Sequence, residues 1–297
     1  SVELLSTPVI NIANRTGYSV SGTCTEEGLP VDVLVGGALY DSPSCSGGTF
    51  TASGMDVSGI LDSSDINITA RHSNSAGNMS QDSAVVVKDT VRPAVTIGTP
   101  SAALINSSGS TTFTLTYDFA PSPALASGDI TVTGSGGVTC TTVNIADGGT
   151  TTPDVTVTGC SGDGSFTISV AAAQSADGAG NTDAGAGPSA SVAVDNTLPT
   201  VSFSPAPVNI NNSNLTTYSV SGSCSEEGRT VTVTVGGTVS ATPACTGGAF
   251  TTGNMSVGGI ADSGSVSVTA GHTDEAGNTG NASTTVVKDT GNPTVAF

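Results

Sequence analysis

Apolar and small polar residues alternate along most of this chain, and glycine-rich turns interrupt the alternation every few positions. In the order Tyr-Ser-Val-Ser-Gly-Ser-Cys at 218–224, Tyr218, Val220 and Cys224 fall on one face; Val231, Val233 and Val235 repeat the pattern before Gly236-Gly237 stops it. Successive side chains of a strand point to opposite faces, so a period of two marks a half-buried strand. The pattern predicts strands at 218–224, 231–235, 266–270 and 284–287, and again at 18–24, 31–35, 66–70 and 84–87. A related set is expected at 113–117, 130–133, 155–158, 166–170 and 191–194. Gly236-Gly237 and Gly247-Gly248 read as hairpin turns. No stretch carries the period of an amphipathic helix.

The two matching sets share a larger period. Residues 16–93 return at 216–293 without a gap and with about half the positions identical. Cys24, Cys45, Phe50, Met55 and His72 have counterparts at Cys224, Cys245, Phe250, Met255 and His272. The stretch between them diverges at first but rejoins at Asp177-Gly-Ala-Gly-Asn181, which matches Asp274-Glu-Ala-Gly-Asn278 and the variant Asn74-Ser-Ala-Gly-Asn78. Each unit closes on a valine-rich run, an aspartate (Asp89, Asp195, Asp289), three residues and a proline. A fixed period of this kind means a tandem array of folding units. The expected units are 1–93, 94–199 and 200–297, the last including the opening of a next repeat at 294–297, as in a slice of a longer protein. Seven or so short strands in about 100 residues predict an all-β fold of three tandem immunoglobulin-like sandwiches.

Composition narrows the function. Aromatic residues are 4% and Trp is absent, so the cores are expected to be thin and built from Val, Ile, Leu and Ala. The net charge is −18 with only six Lys and Arg, which argues against nucleic acid or an anionic membrane surface as partner. No run is apolar and long enough to span a bilayer, so no membrane insertion is expected within this segment. The six cysteines fall two per unit, without zinc-type spacing, and only pairing within units respects the repeat. Disulfides Cys24–Cys45, Cys140–Cys160 and Cys224–Cys245 in an oxidising compartment are the expected reading, with buried free thiols the alternative.

Val-Ser-Gly-Ser-Cys-Ser-Glu-Glu-Gly at 220–228, Val-Thr-Val-Thr-Val-Gly-Gly at 231–237, Asp-Glu-Ala-Gly-Asn at 274–278 and the closing Lys288-Asp289-Thr290 with Pro293 together resemble the bacterial immunoglobulin-like repeats of large surface adhesins and biofilm-associated proteins. The resemblance covers the first and third units and the second half of the middle one. It implies a surface-exposed tandem stalk, extracellular and on the outer surface of a diderm cell, often rigidified by calcium at the joints. The paired cysteines depart from the commonest, cysteine-free versions of these repeats.

In such a sandwich the loop after the second strand and the loop before the last lie at the end where the chain comes in. At the joint of the second and third units, Asp195 is therefore expected to meet Glu226 or Glu227, Asp274 and Asn278; at the preceding joint, Asp89 is expected to meet Asp118 and Asp177. Hard oxygen donors on loops suit Ca²⁺. Asn74 stands where the siblings have Asp, so the first unit's own site is expected to be weak or empty. The competing reading makes Asp-x-Ala-Gly-Asn a tight turn and nothing more.

His72 and His272 fall on the inward face at a strand end, where a core-capping role is expected over a surface or metal role. Adjacent Glu226 and Glu227 point to opposite faces and cannot act as a carboxylate dyad. No nucleophile elbow, phosphate loop or zinc-protease helix is present, and no enzyme is expected. The partners expected are neighbouring repeats, and in a rival reading a glycan or protein on a target surface; a phage or secretion-system fibre component is the second rival, which the sequence does not separate from an adhesin stalk. For that rival the divergent middle unit, with its segment at 119–127, is the first place to look, although the scarcity of aromatics argues against a glycan lectin.

Overall fold

The computed structural model describes residues 1–295; of the expected next-repeat opening at 294–297, Ala296 and Phe297 lie outside the described residues. The first unit holds β1 (Val2–Ser6), β2 (Tyr18–Cys24), β3 (Val31–Val35), β4 (Ala38–Asp41), β5 (Thr49–Met55), β6 (Ser63–Ser73) and β7 (Met79–Lys88). They form two sheets, β1-β2-β5 and β4-β3-β6-β7. The middle unit holds β8 (Val95–Ile97), β9 (Leu104–Ile105), β10 (Ser110–Tyr117), a short 3₁₀ turn at Ser127–Asp129, β11 (Ile130–Ser135), β12 (Thr139–Ala146), β13 (Asp154–Ser161), β14 (Gly164–Val170) and β15 (Val192–Val194). The third unit repeats the first with β16 (Val201–Phe203), β17 (Ser221–Cys224), β18 (Val231–Val235), β19 (Val239–Ala241), β20 (Ala249–Thr251), β21 (Ser263–Thr273) and β22 (Thr279–Lys288). Its sheets are β16-β17-β20 and β19-β18-β21-β22. No helix is long and apolar enough to cross a membrane among the described residues.

The alternation sets which face is buried. In β2 every second residue from Tyr18 to Cys24 is buried, and the same holds for Val231, Val233 and Val235 in β18. Burial produces three separate hydrophobic clusters, one per unit. The expectation of purely aliphatic cores is corrected here: seven of the eleven Phe and Tyr are buried, among them Tyr18 and Phe50, Phe113 and Phe166, Tyr218 and Phe250. A scarce residue type is concentrated where one large side chain fills the gap between sheets. The Tyr18 and Tyr218 hydroxyls stay satisfied by donating to the carbonyls of Pro8 and Val208, at 2.8 and 2.9 Å.

The middle unit is wired differently. Its sheets are β12-β13-β10-β8 and β11-β14-β15-β9, so the strand after the central Gly-Gly pair joins the opposite sheet from its counterparts β4 and β19. Gly36-Gly37 and Gly236-Gly237 close true hairpins, β3 with β4 and β18 with β19. Gly136-Gly137 instead carries the chain across the sandwich. Gly134, where the siblings have Leu34 and Thr234, makes the crossing feasible: a Cβ there would lie 2.0 Å from the Val138 carbonyl oxygen. The cysteines follow the wiring. Cys140 and Cys160 are direct cross-strand partners on β12 and β13, whereas Cys24–Cys45 and Cys224–Cys245 tie the end of β2 or β17 to the loop that follows β4 or β19. No cysteine is free.

Candidate functional site

The joints are built from the strand ends outward. Where the first unit ends, the backbone at Ile10 runs parallel to Lys88, and Ile210 repeats this with Lys288. The buried Lys88 ammonium donates to the Ile60 carbonyl at 2.6 Å and meets the Asp62 carboxylate at 3.1 Å. Thr90 adds its N–H and hydroxyl to the same carboxylate. The Thr90 N–H in particular holds the Asp62 carboxyl below the ordinary carboxylate value, against the opposing pull of burial. In the third unit Thr290 bonds Asp262, whose carboxyl is also lowered, chiefly by the Thr290 hydroxyl, and Lys288 caps the Gly258 and Ile260 carbonyls. The middle unit has Val194 in place of the lysine, and Asp163 takes over by accepting from the Asn196 N–H and the Thr197 hydroxyl. Asp62, Asp163 and Asp262 therefore fix the direction in which each linker leaves. Sequence reasoning passed over them; the signal for Asp62 and Asp262 was the equal spacing of 27 residues ahead of Asp89 and Asp289, which Asp163 does not share.

On the incoming side the Asp-x-Ala-Gly-Asn loop folds on itself. Asp177 Oδ1 accepts from the N–H groups of Ala179 and Asn181, and Oδ2 from the Asn181 amide. Burial pushes the Asp177 carboxyl up, but these donors more than offset it and leave it below its usual value. Asp274 and Asn278 repeat the arrangement, and Asn74 and Asn78 follow it in the first unit through Asn74 Oδ1.

The asparagine at the end of this loop reaches across the joint. Asn181 Nδ2 donates to the Asp89 carbonyl at 3.0 Å, and Asn278 Nδ2 to the Asp195 carbonyl at 2.8 Å. What the loop grips is thus the backbone oxygen of the linker aspartate. The aspartate side chains serve the linker itself: Asp89 and Asp195 accept from the N–H two residues on, Val91 and Thr197, and Asp289 does the same with Gly291.

The two joints are unequal. At the first, Asn181 Oδ1 also accepts from the Ile12 N–H at 2.9 Å, Asn11 donates to the Ala179 carbonyl, and Arg92 to that of Thr182. At the second, the Asn278 bond stands alone among the described residues, because Ser107, the counterpart of Ile12, donates its N–H to Asn196 instead. Close packing partly replaces the missing bonds: a Cβ on Gly280 would lie 1.8 Å from the Pro199 carbonyl oxygen.

Of the residues expected to ligate calcium, Asp195, Asp274 and Asn278 are brought together, as are Asp89 and Asp177 by way of Asn181. Asp118 instead accepts from the Ala94 N–H and ties down the unit's own first strand. Glu226 accepts from the Ser225 hydroxyl, and the Glu227 carboxylate caps the Gly247 and Gly248 N–H groups. No group of three or more His, Cys, Asp or Glu side chains among the described residues is placed to hold a metal ion. The converging donors are a carboxylate, a backbone carbonyl and an amide, all hard oxygens once the amide turns its oxygen inward, which suits Ca²⁺ with water completing the shell. At the second joint Asn278 Oδ1 has no protein donor among the described residues, so turning it inward gives up only the Nδ2 bonds to Asp195 and Asp274. At the first, the Ile12 N–H already holds Asn181 Oδ1, and the fit is poorer.

His72 and His272 are buried, and each staples the loop after the second strand. His272 Nε2 accepts from the Glu226 N–H while Nδ1 faces the Thr230 carbonyl, and His72 does the same with Glu26 and Pro30. Both ring nitrogens are engaged by the backbone.

No family model and no curated protein matches the chain. Solved structures do. A Ca²⁺-stabilized adhesin that helps an Antarctic bacterium reach out and bind ice is 23% identical, with a TM-score of 0.51 over 97% of this chain and 74% of its own. A bacterial ice-binding adhesin of 1.5 MDa, solved for its host cell surface retention, is 22% identical over 98% of both chains with a TM-score of 0.48, and the Escherichia coli adhesin FdeC is 15% identical over 97% and 96% with 0.37. The first of these likenesses concerns the fold: tandem immunoglobulin-like sandwiches of the kind found in bacterial adhesins.

Proposed function

We propose that this chain is a non-enzymatic spacer: a stretch of a bacterial surface or secreted adhesin-like fibre whose units, taken as 1–93, 94–199 and 200–297, hold a distal element away from the cell. The observation that carries this reading is the same asparagine-to-linker bond at both joints, Asn181 to Asp89 and Asn278 to Asp195. A chain that needed only tethered binding modules would have no use for a repeated contact that fixes each unit's direction. The anchors at Asp62 and Asp163 extend the argument, since each sets the linker before the next unit grips it. Three disulfides within the units favour an oxidising, extracellular setting.

Calcium fits this role as a stiffener. Asp274, Asn278 and the Asp195 carbonyl would hold it at the second joint, and Asp177, Asn181 and the Asp89 carbonyl, less readily, at the first. When bound it would supply a charged crosslink between linker and loop. Small-angle scattering of the whole chain in chelator and in millimolar calcium tests the reading. A longer, narrower particle in calcium is expected. An array that stays compact or freely jointed in both conditions would sink the spacer reading, and one that is extended in both would remove calcium from it.

A further inference from the structure

The first and third units share about half their residues at matched positions, which makes each a control for the other. One concave place escapes the likeness. Beside β3 and β6 of the first unit lies a cleft of about 360 Å³, walled by Leu29, Pro30 and Met79, with Asp32 and Arg71 facing it. All eight residues that line it differ in the third unit. Leu29, Pro30, Asp32, Arg71 and Met79 become Arg229, Thr230, Thr232, Gly271 and Thr279, and Arg229 there reaches Glu275 at 3.7 Å. The third unit keeps the fold without these side chains, so the lining of this cleft is not required for folding.

We propose that this cleft binds a small zwitterion with an apolar side chain, of the class of a free aliphatic or aromatic α-amino acid. Asp32 and Arg71 sit directly opposite one another on neighbouring antiparallel strands, a spacing of roughly 5 Å between backbones. They nevertheless form no ion pair with each other or with any other described residue. Asp32 instead accepts from the Ser42 hydroxyl with one oxygen, leaving the other for a ligand. An α-amino acid carries its ammonium and its carboxylate on one carbon. The carboxylate takes the planar fork of Arg71, the ammonium takes Asp32, and both protein charges are paired without closing the cleft. The apolar side chain then lies against Leu29, Pro30 and Met79; the methionine, 60% exposed, is flexible enough to fold over it. The cleft volume falls within the range of about 300–1,000 Å³ usual for small-ligand sites. The proposed ligand contacts lie outside both joints described above; Asn74 and Ser75, on the rim of the cleft, belong to the first unit's own Asn-Ser-Ala-Gly-Asn loop.

The test is a titration of the isotopically labelled full chain with L-leucine, followed by backbone amide shifts. Saturable shifts are expected at Asp32, Arg71, Ser73 and Met79, with none at Thr232 or Gly271 of the sibling unit. Arg71→Gly and Asp32→Thr install residues that the sibling already tolerates, so folding is kept, and each should weaken binding on the order of tenfold. 4-Methylpentanoate, lacking the ammonium, and 3-methylbutylamine, lacking the carboxylate, should each bind more weakly than leucine. No shifts with leucine, or shifts that survive Arg71→Gly, would overturn the site. Tighter binding of D-glucuronate than of leucine would overturn the zwitterion and assign an acidic sugar instead.

Discussion

Replacing Asn181 by Ala should loosen the first joint far more than Asn278→Ala loosens the second. Asn181 makes two bonds across its joint, to the Asp89 carbonyl and from the Ile12 N–H, while Asn278 makes one. At roughly 1 kcal/mol net for each such bond, the losses are about 2 and about 1 kcal/mol. Since 1.4 kcal/mol is a factor of ten, the docked-to-undocked ratio should fall about 30-fold at the first joint and about fivefold at the second. The intact joints already differ: Asn11 and Arg92 add further bonds at the first, so in chelator the array should be stiff between its first two units and compliant between its last two. Pulsed dipolar distance distributions between a label in each of two adjacent units measure this directly. A narrow distribution across the first joint that broadens in Asn181→Ala, beside a second joint broad from the start, is the expected outcome. Equal widths at both joints in the unmodified chain, or no broadening in Asn181→Ala, would refute the reasoning.

Gly280→Ala should disturb the second joint without unfolding the third unit, because the added methyl meets the Pro199 carbonyl oxygen at 1.8 Å; dipolar widths should increase while the unit's thermal midpoint holds. Replacing Cys224 and Cys245 by Ala opens a 21-residue separation and should destabilise the third unit by about 3 kcal/mol, read from its denaturant midpoint. Acid should weaken all three units. Asp62, Asp177 and Asp262 have folded-state values below the ordinary carboxylate value, so their stabilisation is complete above that value and is lost as the pH falls through the lower, folded one. Asp62→Asn should flatten the first unit's acid transition, seen as a smaller change in midpoint between pH 5 and pH 2.

Much of the fold was legible because burial on one face of a strand writes itself into alternate residues. Val231, Val233 and Val235 could hardly be read otherwise, and the offset of 200 carried the reading to the first unit. The middle unit's rewiring was not legible in the same way. Gly136-Gly137 looks identical to the hairpin turns on either side of it, and the residue that sends the chain across, Gly134, acts by lacking a side chain at a close approach. At the joints, sequence reasoning found the loop and the linker but looked to carboxylates. The atoms that meet are an asparagine amide and a main-chain oxygen, and a backbone carbonyl leaves no mark on a sequence. Glu227 drew notice for its charge, yet its carboxylate serves two turn amides in its own unit.

The transfer of one strand to the opposite sheet in the middle unit also bears on how a repetitive chain avoids tangling as it folds. Neighbouring copies of one sequence can exchange equivalent strands and become trapped in a swapped form. Here β4 and β19 are interchangeable in principle, each completing the same sheet of a nearly identical sandwich; in the unit between them the edge of β11 is left open and β12 pairs with β13 instead, so no strand there is the equivalent of β4 or β19. The two units able to trade strands are held apart by one that has no equivalent strand to give in return. Divergence in the middle of the array thus protects the fidelity of its ends.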